Sequence, residues 1–295
     1  MKQGIRLALL TALISGISIF ANGIFVSKTD PLVFAFVRNS VVALICTLLL
    51  FANSSAKHLR DLSMKQWGML VLIGIVGGGI PFALFFTGIA QIGAVSGNII
   101  QKSLFLWVAL LAVPLLGERI RRIQIVGYMC ILFGMFYFGG SATFILKQGT
   151  WLVLAATLLW SAEQIIAKKT LESVSPAIVA WGRMIFGLPM LLLAVLYMGK
   201  ANTLLLPSTY SLIPLLLSSV LLTAYMTAWY SALSKAPAVL VSSVLVAAPV
   251  ITAMLTRFVL QKPFKDGQML SYGLIVAGVV CILSEYKKHH RAETA

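Results

Sequence analysis

The chain has 295 residues, 60% of them hydrophobic and 11% charged, with a mean hydropathy of +0.97. Soluble domains are about 45–50% apolar and about 25% charged, so the composition excludes a water-soluble enzyme and a disordered chain, and leaves a polytopic membrane protein. The formal net charge is +15, from 23 Lys plus Arg against 8 Asp plus Glu. Most of these basic residues fall between apolar runs, where they set membrane topology, so no nucleic-acid partner is expected.

Ten apolar runs follow one another, at roughly 4–26, 31–52, 67–89, 93–116, 123–140, 149–168, 176–198, 208–232, 237–259 and 267–285. Each is long enough for a membrane helix of about 17–25 residues. Helices rather than strands are expected, because a backbone in lipid must satisfy its hydrogen bonds within its own segment. The first run follows Lys2 and Arg6, exceeds a signal-peptide core in length and lacks a small-residue cleavage site. It reads as an uncleaved first helix. With the N-terminus inside, fourteen Lys and Arg lie on the cytoplasmic side. Six lie outside, namely Lys28, Lys147, Lys200, Arg257, Lys262 and Lys265. The excess predicts a plasma-membrane protein with both termini in the cytoplasm.

An internal repeat is hidden in the apolar runs. The second opens Pro31-Leu-Val-Phe-Ala-Phe-Val-Arg38 and the seventh Pro176-Ala-Ile-Val-Ala-Trp-Gly-Arg183, with Pro and Arg recurring 145 residues apart. Ala94 matches Ala238, and Gly134 matches Gly278, at an offset of 144. Five helices per repeat is an odd number, so the halves enter the membrane from opposite faces. The expected fold is therefore an all-α polytopic membrane protein of ten transmembrane helices, built as two inverted five-helix repeats at 1–146 and 147–295. In such repeats the substrate site lies near mid-membrane between the halves.

Five-plus-five helices, the Pro-x6-Arg openings, Gly117-Glu118-Arg119 after the fourth run and the stretch from Ala94-Val-Ser-Gly to Gly134 resemble the drug/metabolite transporter superfamily, EamA type. Two features depart from that pattern. The second-half counterpart of Gly117-Glu118 is Gln261-Lys262-Pro263, and Ser15-Gly16 stands where Trp-Gly is common. The resemblance implies a secondary carrier, often an exporter of amino acids or other small metabolites, with no nucleotide-driven motor.

Ionisable groups inside the spans are costly, about 2.5–3.5 kcal/mol on insertion scales, and so mark function. Four stand out: Arg38, Lys102, Glu163 and Arg183. At about 1.5 Å rise per residue, Glu163 and Arg183 lie at nearly the same depth on sequential antiparallel helices, which predicts a structural ion pair. Arg38 then faces only polar groups of the first helix, Ser15, Ser18 and Asn22. Lys102, about 13 Å from the outer edge, has no acidic residue in any neighbouring run, and its second-half counterpart is Val246. A charge that breaks the internal symmetry is better explained by an asymmetric substrate than by the fold. Lys102, Arg38, Asn22, Ser18, Tyr225 and Trp181 are accordingly the candidate substrate contacts, the last two as aromatic walls. Gly74, Gly77, Gly78 and Gly79 precede Pro81. Close helix packing through glycine and a bend at proline make Gly78 and Pro81 candidate hinge residues.

Cys46, Cys130 and Cys281 lie inside apolar runs, and His58, His289 and His290 are peripheral. No disulfide framework, metal-ligand spacing, phosphate loop or nucleophile–base constellation is present, so neither catalysis nor a cofactor is expected. The partners expected are a small-molecule substrate and the lipid bilayer, with the chain a monomer or a homodimer. The expected function is export, by alternating access, of a small metabolite, an amino acid or other small organic molecule that is anionic or carboxylate-bearing. The competing readings are a membrane-embedded scaffold or sensor, and a lipid-modifying enzyme that would need a carboxylate or His cluster the spans lack.

Overall fold

The structure, a computed structural model, describes residues 2–25, 30–53, 55–139, 147–204, 212–264 and 267–293. Lys28 and Lys265 of the charge count, and residue 146 at the repeat boundary, lie outside the described residues. Among the described residues the elements are helices without strands, as a backbone excluded from water requires. The crossings are α1 (Lys2–Phe25), α2 (Pro31–Ala52), α3 (Met64–Ile73) continuing through a π-turn (Gly74–Gly79) into α4 (Ile80–Ile92), α5 (Ala94–Lys102) with α6 (Leu104–Leu116), and α7 (Arg122–Gly139). The second half has α8 (Gln148–Thr170), α9 (Pro176–Tyr197), a short α10 (Ala201–Leu204), α11 (Leu212–Lys235), α12 (Ala238–Leu245) with α13 (Ala248–Val259), and α14 (Gln268–Glu293). Nine of these crossings among the described residues are long and apolar enough to span a membrane, and the tenth, α7, is apolar over the shorter stretch Arg122–Met135.

The packing obeys the inverted repeat. α1 lies on α11 and α13; in mirror fashion, α8 lies on α4 and α6. The self-paired contacts are α2 with α9 and α7 with α14, the second crossing on the seventh and the fifth on the tenth. At the α7–α14 seam, a Cβ added to Gly127 would stand 2.8 Å from the carbonyl oxygen of Gly278, and one added to Gly278 would stand 2.5 Å from that of Gly127. Only glycine lets the two backbones approach this closely. Gly117 (φ 67°) and Gln261 (φ 53°), matched at the 144 offset, both adopt the left-handed conformation, although Gln must accept the strain that Gly avoids.

Two crossings expected as continuous helices are interrupted. α5 gives way to α6 at Ser103, and α12 to α13 at Val246 and Ala247. Ser103 and Ala247 are again 144 residues apart, so the break belongs to the repeat, but its causes differ. Ser103 Oγ donates to the carbonyl of Ile100 at 2.6 Å, a side-chain bond that competes with helix continuation. In the second half Pro249 has no N–H to give to the carbonyl of Leu245, its i−4 partner.

The start of α2 shows how local sequence positions a functional side chain. Asp30 caps the helix, its Oδ1 accepting from Leu32 N at 3.0 Å and Val33 N at 3.1 Å, and Pro31 occupies the first turn, where its missing N–H costs nothing. Asp30 Oδ2 also pairs with Lys200 Nζ at 2.6 Å, joining the start of α2 to the end of α9. Partial burial pushes the Asp30 carboxyl upward, but the Lys200 ammonium and the two amides outweigh it and hold the group below its ordinary 3.8. A carboxylate held low contributes stability that is complete above the unfolded value and lost as pH falls through the folded one. Asp30→Asn is therefore expected to lower the thermal midpoint of the detergent-solubilised protein at neutral pH, with the difference from wild type shrinking as acidification protonates the Asp30 carboxyl. Thermal scans of both proteins across pH check this.

Candidate substrate cavity

Between the halves lies a cavity of about 260 Å³, walled by α1, α2, α4, α5, α6, α8, α9, α11 and α12. Its base is a network centred on Arg183. Nη1 lies 3.4 Å from Glu163 Oε2 and donates to the Tyr230 hydroxyl at 3.2 Å. Tyr230 in turn donates to Glu163 Oε1 at 2.6 Å, and Arg183 Nη2 donates to the carbonyl of Gly77 at 3.1 Å. Glu163 is 2% exposed and Arg183 8%, so the pair is buried at the cavity base.

Gly77 offers its carbonyl for a reason written in the chain. In an α-helix it would accept from the N–H of residue 81, but that residue is Pro81, which has none. The ladder slips into the π-turn, as π-bulges do at functional sites. The freed oxygen then serves two donors, Arg183 and Trp160 Nε1, the latter at 3.0 Å. The glycines around it admit α9: a Cβ on Gly187 would stand 2.5 Å from the backbone of Gly78. Gly78 and Pro81 therefore sit where α3, α4 and α9 lock together.

Arg38 and Lys102 also face the cavity. Arg38 donates from Nε and Nη2 to Asn39 Oδ1 at 3.4 and 3.3 Å, and its guanidinium stands 5.9 Å from the Phe34 ring. Among the described residues neither Arg38 nor Lys102 has a carboxylate within ion-pair distance. The walls are aromatic: Phe82 meets Trp160 edge-on at 5.3 Å, and Tyr225 stacks on Trp229 at 5.9 Å. Gln164 reaches across to the carbonyl of Ala238 at 3.2 Å, leaving its own Oε1 without a partner.

Of the residues singled out from sequence, Lys102, Arg38, Ser18 and Tyr225 line this one cavity, with Glu163 and Arg183 at its base. Two do not. Trp181 points the other way, its Nε1 donating to Thr47 Oγ1 at 3.0 Å and its ring lying 6.2 Å from Trp67. Residues two positions apart on a helix differ by about 200° in direction, so with Arg183 facing inward Trp181 faces away from the cavity. Asn22 sits one turn beyond Ser18, outside the cavity wall, and gives its amide to Ser18 Oγ at 3.5 Å. Sequence reasoning overlooked Tyr230 and the Gly77 carbonyl. The second had a signal, the four-residue spacing from Gly77 to Pro81.

A ten-helix inverted repeat with a polar, aromatic-walled cavity between its halves has the architecture of a membrane carrier built from internal repeats. The EamA-like transporter family model matches residues 2–139 and 147–284. The chain belongs to that family, within the drug/metabolite transporter superfamily, and is a multi-pass membrane transporter. No curated protein matches it in sequence. A solved structure titled only as the crystal structure of a protein superposes with a TM-score of 0.73, covering 95% of this chain and 98% of its own at 16% identity, a likeness of fold alone.

Removing one partner of a buried pair leaves the other charge uncompensated, at about 3–5 kcal/mol. Glu163→Gln is thus expected to destabilise the protein by that amount. Tyr230→Phe, which keeps the ion pair, is expected to cost about 1–3 kcal/mol. Unfolding of the two variants in detergent checks the order.

Proposed function

We propose that the chain is a secondary carrier that exports a small anionic metabolite, an amino acid or other carboxylate-bearing molecule, across the plasma membrane by alternating access. The observation that carries this reading is the charge balance of the cavity. Glu163 is engaged by Arg183 and Tyr230, while Arg38 and Lys102 have no carboxylate within ion-pair distance among the described residues. Each is costly at membrane depth, and an anion bound between them relieves both. Aromatic walls beside them suit the apolar part of a small organic anion. One chain encloses the site, so the reading needs no second subunit.

The face that holds the start of α1, called here the N-terminal face, is taken as cytoplasmic from the excess of Lys and Arg on that side. Gly78 and Pro81 act as the hinge because the π-turn interrupts the helix ladder where α3, α4 and α9 meet.

Flux of radiolabelled amino acids and dicarboxylates into proteoliposomes identifies the substrate, and vesicles of each orientation give the direction. Lys102→Met retains the apolar stem and is expected to fold, insert and lose at least tenfold in transport of the anion, roughly the worth of one charge-assisted bond. Normal transport of an identified anionic substrate by Lys102→Met would overturn the assignment.

A further inference from the structure

The two faces of the carrier are not closed in the same way. At the N-terminal face, α12 begins after Pro237, which has no side-chain oxygen to cap it. Glu118, from the loop after α6 in the other repeat, supplies the cap: Oε1 accepts from Ala238 N at 2.6 Å and Oε2 from Val239 N at 3.0 Å. A carboxylate on the first amides of a helix is a charge-assisted contact, favoured further by the helix dipole. Lys168 holds the same turn from the other side. Its Nζ donates to the carbonyls of Leu233 and Ala236 at 2.6 and 2.8 Å, closing the C-terminal end of α11. Gly4 of α1 packs against this turn so tightly that a Cβ would stand 2.7 Å from Lys235 O.

The repeat locates the matching place at the far face, the turn from α4 to α5. There the start of α5 follows Gly93, which has no side chain to cap it. The counterpart of Glu118 at the 144 offset is Lys262, exposed and of the wrong sign for a helix N-terminus. The counterpart of Lys168 at the 145 offset is Gly23. Both members of the clamp are therefore missing from one face, although the backbone that would carry it, Gly117 and Gln261 in the left-handed conformation, is retained on both.

From this asymmetry we infer that Glu118 is the residue that sets the sidedness of the transport cycle. It latches the N-terminal face shut across the two repeats, so the empty carrier rests open toward the far face, and each cycle must break this contact to open the other way. The inference rests on the alternating-access reading, but not on the identity of the substrate or on which face is cytoplasmic.

The test uses the full chain in sealed vesicles, with Cys46, Cys130 and Cys281 replaced by Ala and one reporter, Leu222→Cys, in the cavity wall. A parallel sample with Arg60→Cys instead, an exposed residue on the N-terminal face, reports vesicle orientation. A membrane-impermeant maleimide is applied from each side. Glu118→Gln is expected to raise reporter labelling from the N-terminal face about tenfold, the usual worth of a charge-assisted contact, and to lower it from the far face. Lys262→Glu, which puts a carboxylate on an exposed residue at the position the repeat relates to Glu118, is expected to slow labelling from the far face several-fold. A purely structural Glu118 would lower the thermal midpoint and leave the ratio of labelling between faces unchanged, and that result overturns the latch. If Glu118→Gln does not fold, undiminished far-face labelling of Lys262→Glu overturns it alone. Absence of substrate flux in the wild-type protein would instead count against the carrier reading.

Discussion

A guanidinium held away from water in a lipid-embedded bundle must find its partners within the protein, and the arrangement around Arg183 supplies them at both Nη atoms while leaving Nε without one. Glu163 supplies the opposite charge, but a pair alone would leave donors and lone pairs unmet. Tyr230 bridges the two side chains, and the carbonyl of Gly77 takes another guanidinium proton. That carbonyl exists as a free acceptor because Pro81 cannot donate to it. A backbone defect on one helix is thus matched to a charge on another. The network draws together α8, α9, α11 and the turn between α3 and α4. The same polar groups form the base of the cavity, so the element that holds the second half together also shapes the site.

Internal duplication accounts for the architecture, and departures from it account for the chemistry. The helix contacts, the paired breaks at Ser103 and Ala247, and the left-handed residues 117 and 261 all obey the repeat. Charge does not. Arg183 has Glu163, whereas Arg38, its counterpart, has Ser18 at the corresponding position and, among the described residues, hydrogen-bonds to the adjacent Asn39. Lys102 faces the cavity with Val246 as its counterpart. A symmetric scaffold provides two equivalent ways of packing, and the asymmetric charges are what the proposed substrate site and the proposed latch both rest on.

The close approach of helices in this bundle rests on small residues rather than on apolar burial, because lipid tails are as apolar as leucine. Gly127 with Gly278, Gly78 with Gly187, and Gly88 with Gly149 each bring backbone against backbone. These seams join helices that belong to different halves of the chain, and all three cross the repeat boundary.

Much was legible in the sequence because membrane physics leaves few choices. Apolar length dictates helices, five per repeat dictates inversion, and an isolated charge in a span announces a site. Glu163 and Arg183 could be matched by depth alone, since antiparallel neighbours at equal depth have little room to avoid each other. Direction around a helix was not legible. Trp181 and Asn22 stand at suitable depths, yet one faces outward and the other lies a turn beyond the wall, because rotation and tilt are set by packing against neighbours. Nor did the chain reveal that Glu118, in a loop, lies on the first amides of α12 more than a hundred residues away. Depth is a property of one segment and can be counted from its ends. Orientation and cross-repeat contact are properties of the assembled bundle, and only the tertiary structure decides them.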